Sequence, residues 1–257
     1  WKDVLARLVD YPVNENGYLV GAGMAFEKGH RHYSHLLMAY PLYLVNVDQP
    51  GGREVIDRTL RHWMSFKDGK AGYTWTGSSS LASALGDGDR ALEYLNGLKQ
   101  QCLGGLSSTT MYREGNNPVT ETPFSAAQSL HGMLLQSWGD KIRVFPAVSS
   151  TWRDASFADL RAEGAFLVSA ERRDGRTTWI RVQSLAGEPC RVQTDMVDPQ
   201  CAGAALKQVA PQVYELALKR GETAVLTARG FAGQAEVAPV GAEVRSAFGL
   251  RVDRGSE

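Results

Sequence analysis

The sequence predicts an α+β protein in two parts: helices over residues 1–140, then an antiparallel β-sandwich over residues 141–230. Three observations carry that prediction. Val55, Ile56, Thr59, Leu60, Trp63 and Met64 recur at the spacing of one helix face. From about Lys141 the apolar period falls to two, as in Ile142 and Val144 or Phe166, Val168 and Ala170. Short strands are then punctuated by turn sequences such as Asp174-Gly175. Residues 231–257, rich in Ala, Gly and Glu without a period, have the composition of a disordered tail.

Taken in order, Asp3 to Val9 is a short amphipathic piece ended by Pro12. A Gly-rich loop, Asn16 to Gly29, leads to His30-Arg31-His32-Tyr33-Ser34-His35. A short buried helix starts at Ser34 and stops at Pro41, whose ring cannot continue it. Residues 54–66 form the amphipathic helix named above. Tyr73 opens another helix, closed by Gly86 after Leu85. Asp87-Gly88-Asp89 caps the next, with Ala91, Leu95, Leu98 and Cys102 as its core stripe. Gly104 to Val119 reads as a long irregular loop. Thr122 then has the look of an N-cap, with Pro123 at the first helical position and the helix running to about Trp138. Paired helices with long loops suit an α/α barrel or a plain helical bundle. In the second part, Thr178, Ile180 and Val182, then Tyr214, Leu216 and Leu218, then Ala224 to Thr227 give further strands, an arrangement most like a sandwich.

Bulk properties exclude several function classes. The 28 basic and 28 acidic residues cancel, leaving no electrostatic footprint for nucleic acid or an anionic membrane. The longest apolar run, Leu36 to Val45, is broken by Pro41 and too short to span a bilayer. The cysteines, Cys102, Cys190 and Cys201, are odd in number and form no CxxC; a Cys190–Cys201 bridge stays open. A chain starting at Trp1 without a signal-like segment is expected to be processed or part of something longer.

The segment from His30 to His35 holds three of the five histidines and an arginine. Spacings of two, three and five do not fit the i, i+4 pair that zinc favours on a helix, and no Cys or carboxylate lies in the run. Hydrogen-bonded packing at a helix start and contact with a sugar or phosphate both fit. Among the acids, Glu121 stands just before a helix start, where free N–H groups favour an ionised carboxylate, the form a general base needs. A dipole-stabilising Glu fits the same position. Glu27 and Glu114 are weaker candidates. Tyr73 and Trp75 suit a sugar-stacking platform or a hydrophobic core equally. Ser34 lacks a G-x-S-x-G elbow, so it makes no hydrolase triad.

Several segments together resemble the C-terminal half of glycoside hydrolase family 95, the inverting α-L-fucosidases and α-L-galactosidases. They are His30-Arg31-His32-Tyr33-Ser34-His35-Leu36 with Tyr40-Pro41, Ala84-Leu85-Gly86-Asp87-Gly88-Asp89-Arg90-Ala91, Met133-Leu134-Leu135-Gln136-Ser137, Val144-Phe145-Pro146-Ala147, and Trp152 with Leu160 to Phe166. The resemblance spans roughly residues 1–185. It implies part of an (α/α)6 barrel followed by a C-terminal β-sandwich, a carbohydrate substrate, and a secreted or periplasmic protein; no metal and no cofactor are expected. It also places Arg31 and His32 at positions that hold sugar hydroxyls in the family, with Tyr73 a looser match to a family Trp; His35 and Trp75, read from the residues themselves, complete the expected substrate-binding set. Glu121 falls on the family's general-base aspartate, with Thr122 and Pro123 where the family has Gly and Asn. Glu is one methylene longer, and a misplacement of about 1 Å can cost on the order of 100-fold. So the backbone is set back, the substrate differs, or the site is no longer catalytic. The family's general acid lies upstream of the histidine segment, so the resemblance implies that an upstream part of the same enzyme supplies it. The expected activity is glycoside hydrolysis with inversion. The alternative is a non-catalytic carbohydrate-binding or scaffold protein, and a phosphorylase or lyase is a third, weaker option.

Overall fold

The computed structural model describes residues 1–102, 112–114 and 117–237. A short helix α1 (Lys2–Ala6) and a two-stranded ribbon, β1 (Val13–Asn14) and β2 (Gly17–Tyr18), precede the histidine segment. Ser34–Leu36 forms a single 3-10 turn. Four longer helices follow: α2 (Gly52–Ser65), α3 (Gly72–Ala84), α4 (Gly88–Cys102) and α5 (Glu121–Leu134). A ribbon of β3 (Tyr112–Glu114) and β4 (Asn117–Val119) enters α5.

Helix α3 is the centre of this part. All of its residues except Tyr73 are buried, as expected for a helix with no polar stripe. Its small residues let neighbours come close. A Cβ on Gly77 would lie 2.2 Å from the Tyr33 ring, and Gly97 on α4 meets the Trp75 ring just as tightly. Two hydroxyl pairs link α3 to α5, Thr76 with Ser125 at 2.7 Å and Ser80 with Ser129 at 2.9 Å. On α2, Ile56, Leu60 and Trp63 are the apolar face, each at most 2% exposed. The described helices amount to a small helical portion; they show no (α/α)6 barrel.

The expected N-cap at Thr122 is corrected. Helix α5 begins at Glu121 after Thr120, and Thr122 is a buried side chain packed against Gly72. Pro123 is tolerated because it still lies in the first turn, where N–H groups have no intrahelical acceptor. The helix also ends sooner than the sequence suggests. Leu135–Trp138 leaves it as strand β5 and pairs with β6 (Lys141–Val144).

The remaining strands are β7 (Ala155–Ala162), β8 (Phe166–Arg173), β9 (Arg176–Ser184), β10 (Cys190–Gln193), β11 (Gln200–Ala202), β12 (Leu206–Ala210), β13 (Val213–Leu216) and β14 (Thr223–Thr227). They complete two five-stranded sheets, β12-β13-β10-β6-β5 and β11-β14-β9-β8-β7. Both sheets supply one core that includes Ile142, Val144, Phe166, Val168, Ile180, Val192, Leu216 and Leu226. The β8–β9 hairpin turns on Asp174 (φ +49°) and Gly175 (φ +80°), a two-residue turn that a Gly tolerates without strain. The sandwich is antiparallel with one exception: β6 and β10 pair in parallel. Cys190 and Cys201 are both free, so no bridge joins them. Most of the expected tail lies outside the described residues.

Helices and sandwich meet along a polar seam. Asp48 takes the Arg143 guanidinium at 2.6 Å and the Lys141 ammonium at 2.8 Å. Asp89 accepts from the Ser149 hydroxyl and the Ser150 N–H, both at 2.7 Å.

Candidate active site

The histidine segment is irregular, with a bend at Arg31, and is held by its backbone. Trp63 Nε1 donates to the His30 carbonyl at 2.9 Å, and Thr74 Oγ1 donates to the Arg31 carbonyl at 3.3 Å. Tyr33 anchors the segment, stacked on Tyr73 with ring centroids 5.7 Å apart, and burial pushes its phenol far up, so it stays a neutral hydroxyl. Its oxygen lies 3.4 Å from the Tyr73 hydroxyl.

Arg31 is the hub. Its Nε donates to His32 Nε2 at 3.1 Å, Nη2 pairs with Glu121 Oε1 at 2.8 Å, and Nη1 pairs with Glu114 Oε2. As the acceptor of that bond, His32 Nε2 carries no proton, so the ring is neutral with its proton on Nδ1. Burial, then the Arg31 and His30 charges, hold His32 below its ordinary value against the pull of Glu121 and Glu114. With a neutral His32, one guanidinium faces two carboxylates and the cluster keeps a net negative charge. His32 also lies 5.3 Å from Tyr73, ring to ring, so aromatic faces flank the charged groups.

The carboxylates sit at different depths. Glu114 is 17% exposed and Glu121 is 53% exposed. Glu121 opens α5, where unpaired N–H groups and the helix dipole favour a carboxylate. Glu114 is carried by the β3–β4 ribbon, which is docked on α3 because the Gly72 N–H donates to the buried Tyr112 hydroxyl at 2.9 Å. The loop expected over residues 104–119 therefore contains two short strands, while residues 103–111 lie outside the described part.

Arg31, His32, Tyr73 and Glu121 are thus brought together, and Glu114, given little weight from the sequence, joins them. The sequence holds one signal for it: Gly115-Asn116 is a dipeptide of the kind that two-residue hairpin turns use. His35 lies elsewhere, 4% exposed, stacked on Phe26 with centroids 4.4 Å apart and edge-on to Trp63. Trp75 is packed into α4 beside Gly97, with Lys70 Nζ 5.5 Å from its ring centre. Glu27 is exposed. Among the described residues no three His, Cys, Asp or Glu side chains are arranged to hold a metal ion, and no helix is long and apolar enough to cross a membrane.

Fold and cluster together define an α+β chain in which a small helical portion carrying an Arg-carboxylate-imidazole site is joined to a two-sheet module. Residues 136–230, which make up most of that module, match the model of the glycoside hydrolase family 95 C-terminal domain, so this part of the chain is similar to that domain. No curated protein matches the chain.

Proposed function

We propose that this chain is part of an inverting glycoside hydrolase related to the α-L-fucosidases, with Glu121 as general base and Arg31 and His32 orienting the sugar. The observation that carries the reading is the Arg31–Glu121 ion pair, which joins the histidine segment to the start of α5. Half-exposed, the Glu121 carboxylate can reach a water on the open side. In the reaction the base takes a proton from that water as its oxygen bonds to the anomeric carbon. The glycosidic bond breaks on the opposite face, and the leaving oxygen is protonated by an acid. That acid is assigned to an upstream part of the same enzyme, as are the remaining helices of an (α/α)6 barrel. Arg31 and the Tyr73 hydroxyl supply donors for sugar hydroxyls, and the Tyr73 face suits a pyranose C–H face. The protein is proposed to act outside the cytoplasm, secreted or periplasmic.

Glu121→Gln in the full-length protein tests the reading, with turnover of nitrophenyl α-L-fucoside and α-L-galactoside as the measure. A loss of at least about 100-fold is expected for a missing base, and activity within a few-fold of the parent contradicts the role.

A second reading has one observation in its favour: Glu121 is already clamped by Arg31, as in a site that binds without turning over. On that reading the intact protein binds sugar by calorimetry and hydrolyses none.

A further inference from the structure

We infer that Glu114 is a positioning residue of the same site: through Arg31 it fixes where the Glu121 carboxylate stands. The inference rests on the role proposed for Glu121. Glu121, at the first position of a helix and half exposed, has three side-chain torsions to fix. What holds its carboxylate among the described residues is Arg31 Nη2. Arg31 is itself at a bend in an irregular segment and has a long side chain, so its guanidinium needs an anchor in turn.

Glu114 supplies that anchor. It is the least exposed member of the trio, at 17% against 34% for Arg31 and 53% for Glu121. Its Oε2 takes Arg31 Nη1, while its Oε1 is shut off from solvent with no hydrogen-bond partner among the described residues. Arg31 is therefore the charge that compensates this inner carboxylate, and the pairing fixes both. The ribbon beneath Glu114 is tied to α3 through Tyr112 and Gly72, so the anchor stands on a fixed support. A planar fork with two η nitrogens can serve two carboxylates at once; an ammonium cannot do so with defined angles. The order inner carboxylate, guanidinium, outer carboxylate transmits the position of a buried group to an exposed one.

The experiment uses Glu114→Ala and the near-isosteric Glu114→Gln in the full-length protein, with thermal melts to establish folding. Crystal structures of both read the Arg31–Glu121 contact. The expected result is its lengthening from 2.8 Å to beyond about 4 Å, the limit of an ion pair. On the nitrophenyl fucoside and galactoside, kcat falls roughly 10- to 100-fold with a smaller change in KM, the scale of a reacting group displaced by about 1 Å. In a Glu121→Gln background the same substitutions add less than about twofold, because their effect passes through Glu121. A contact kept at its parent length, or an equal loss in both backgrounds, overturns the inference. If Glu121→Gln alone leaves turnover intact, the role of Glu121 fails, and the crystal structures still decide whether Glu114 holds Arg31.

Discussion

Arg31 and Glu121 stand 90 residues apart in the chain and share a 2.8 Å ion pair. One comes from the irregular histidine segment and the other from the first turn of α5. Arg31→Lys keeps the charge but loses the planar fork that serves Glu121, Glu114 and His32 together. We predict a fall in kcat/KM of roughly 100-fold, about 2.7 kcal/mol of transition-state stabilisation. Steady-state kinetics on the nitrophenyl glycosides checks this, with circular dichroism to show an unchanged fold.

His35 makes stability depend on acidity. Burial and the nearby His62 lower it from 6.5 to about 4, and neither ring nitrogen has a partner among the described residues. The folded state therefore prefers the neutral ring. Above about 6.5 both states carry it neutral and there is no penalty. As pH falls the unfolded chain takes up the proton first, so stability drops and the loss is complete once pH passes below about 4. The loss is on the order of 3 kcal/mol. Denaturant melts between pH 4 and 7 should show it, and His35→Leu should flatten that part of the profile.

The seam between helices and sandwich depends on Asp48. Arg143 is 7% exposed on its side chain, lies 3.3 Å above the Trp138 ring centre, and has Asp48 as its counter-charge. Asp48→Asn leaves a buried guanidinium without that charge. Removing one partner of a buried pair costs about 3–5 kcal/mol; Asp48 is itself partly exposed, so about 2 kcal/mol is expected. Guanidinium chloride unfolding reads the change, and Asp3→Asn, on the exposed α1, serves as a control with little effect.

Gly77 admits Tyr33. A Cβ there would sit 2.2 Å from a ring carbon of Tyr33, which is 3% exposed and stacked on Tyr73. Gly77→Ala should cost about 1–3 kcal/mol by overpacking and raise KM by moving Tyr73. Melting and kinetics on the same variant check both effects.

Local patterns made much of this fold legible. The apolar face of α2, the Asp87 cap whose carboxylate accepts the Arg90 N–H at 3.1 Å, and the Asp174-Gly175 turn all follow from residue chemistry within a few positions. Pairing across distance was less visible. Leu135 and Trp138 extend the apolar pattern of α5, and what makes them a strand is hydrogen bonding to Lys141–Val144. The parallel match of Val192 with Ile142 leaves no local trace either. At the site, the run of Arg and His was conspicuous in the sequence. The depth of Glu114, the burial of His35 and the packing of Trp75 against Gly97 depend on neighbours from other elements.

Chemical rescue shows whether the Glu121 carboxylate activates water. Glu121→Ala in the full-length protein, assayed on a fucosyl fluoride with and without azide, removes the base and offers a nucleophile that needs none. A turnover loss of at least about 100-fold is expected, partly restored by azide as it displaces fluoride to form a glycosyl azide of inverted configuration. Parental turnover in the variant without azide would contradict that role for Glu121.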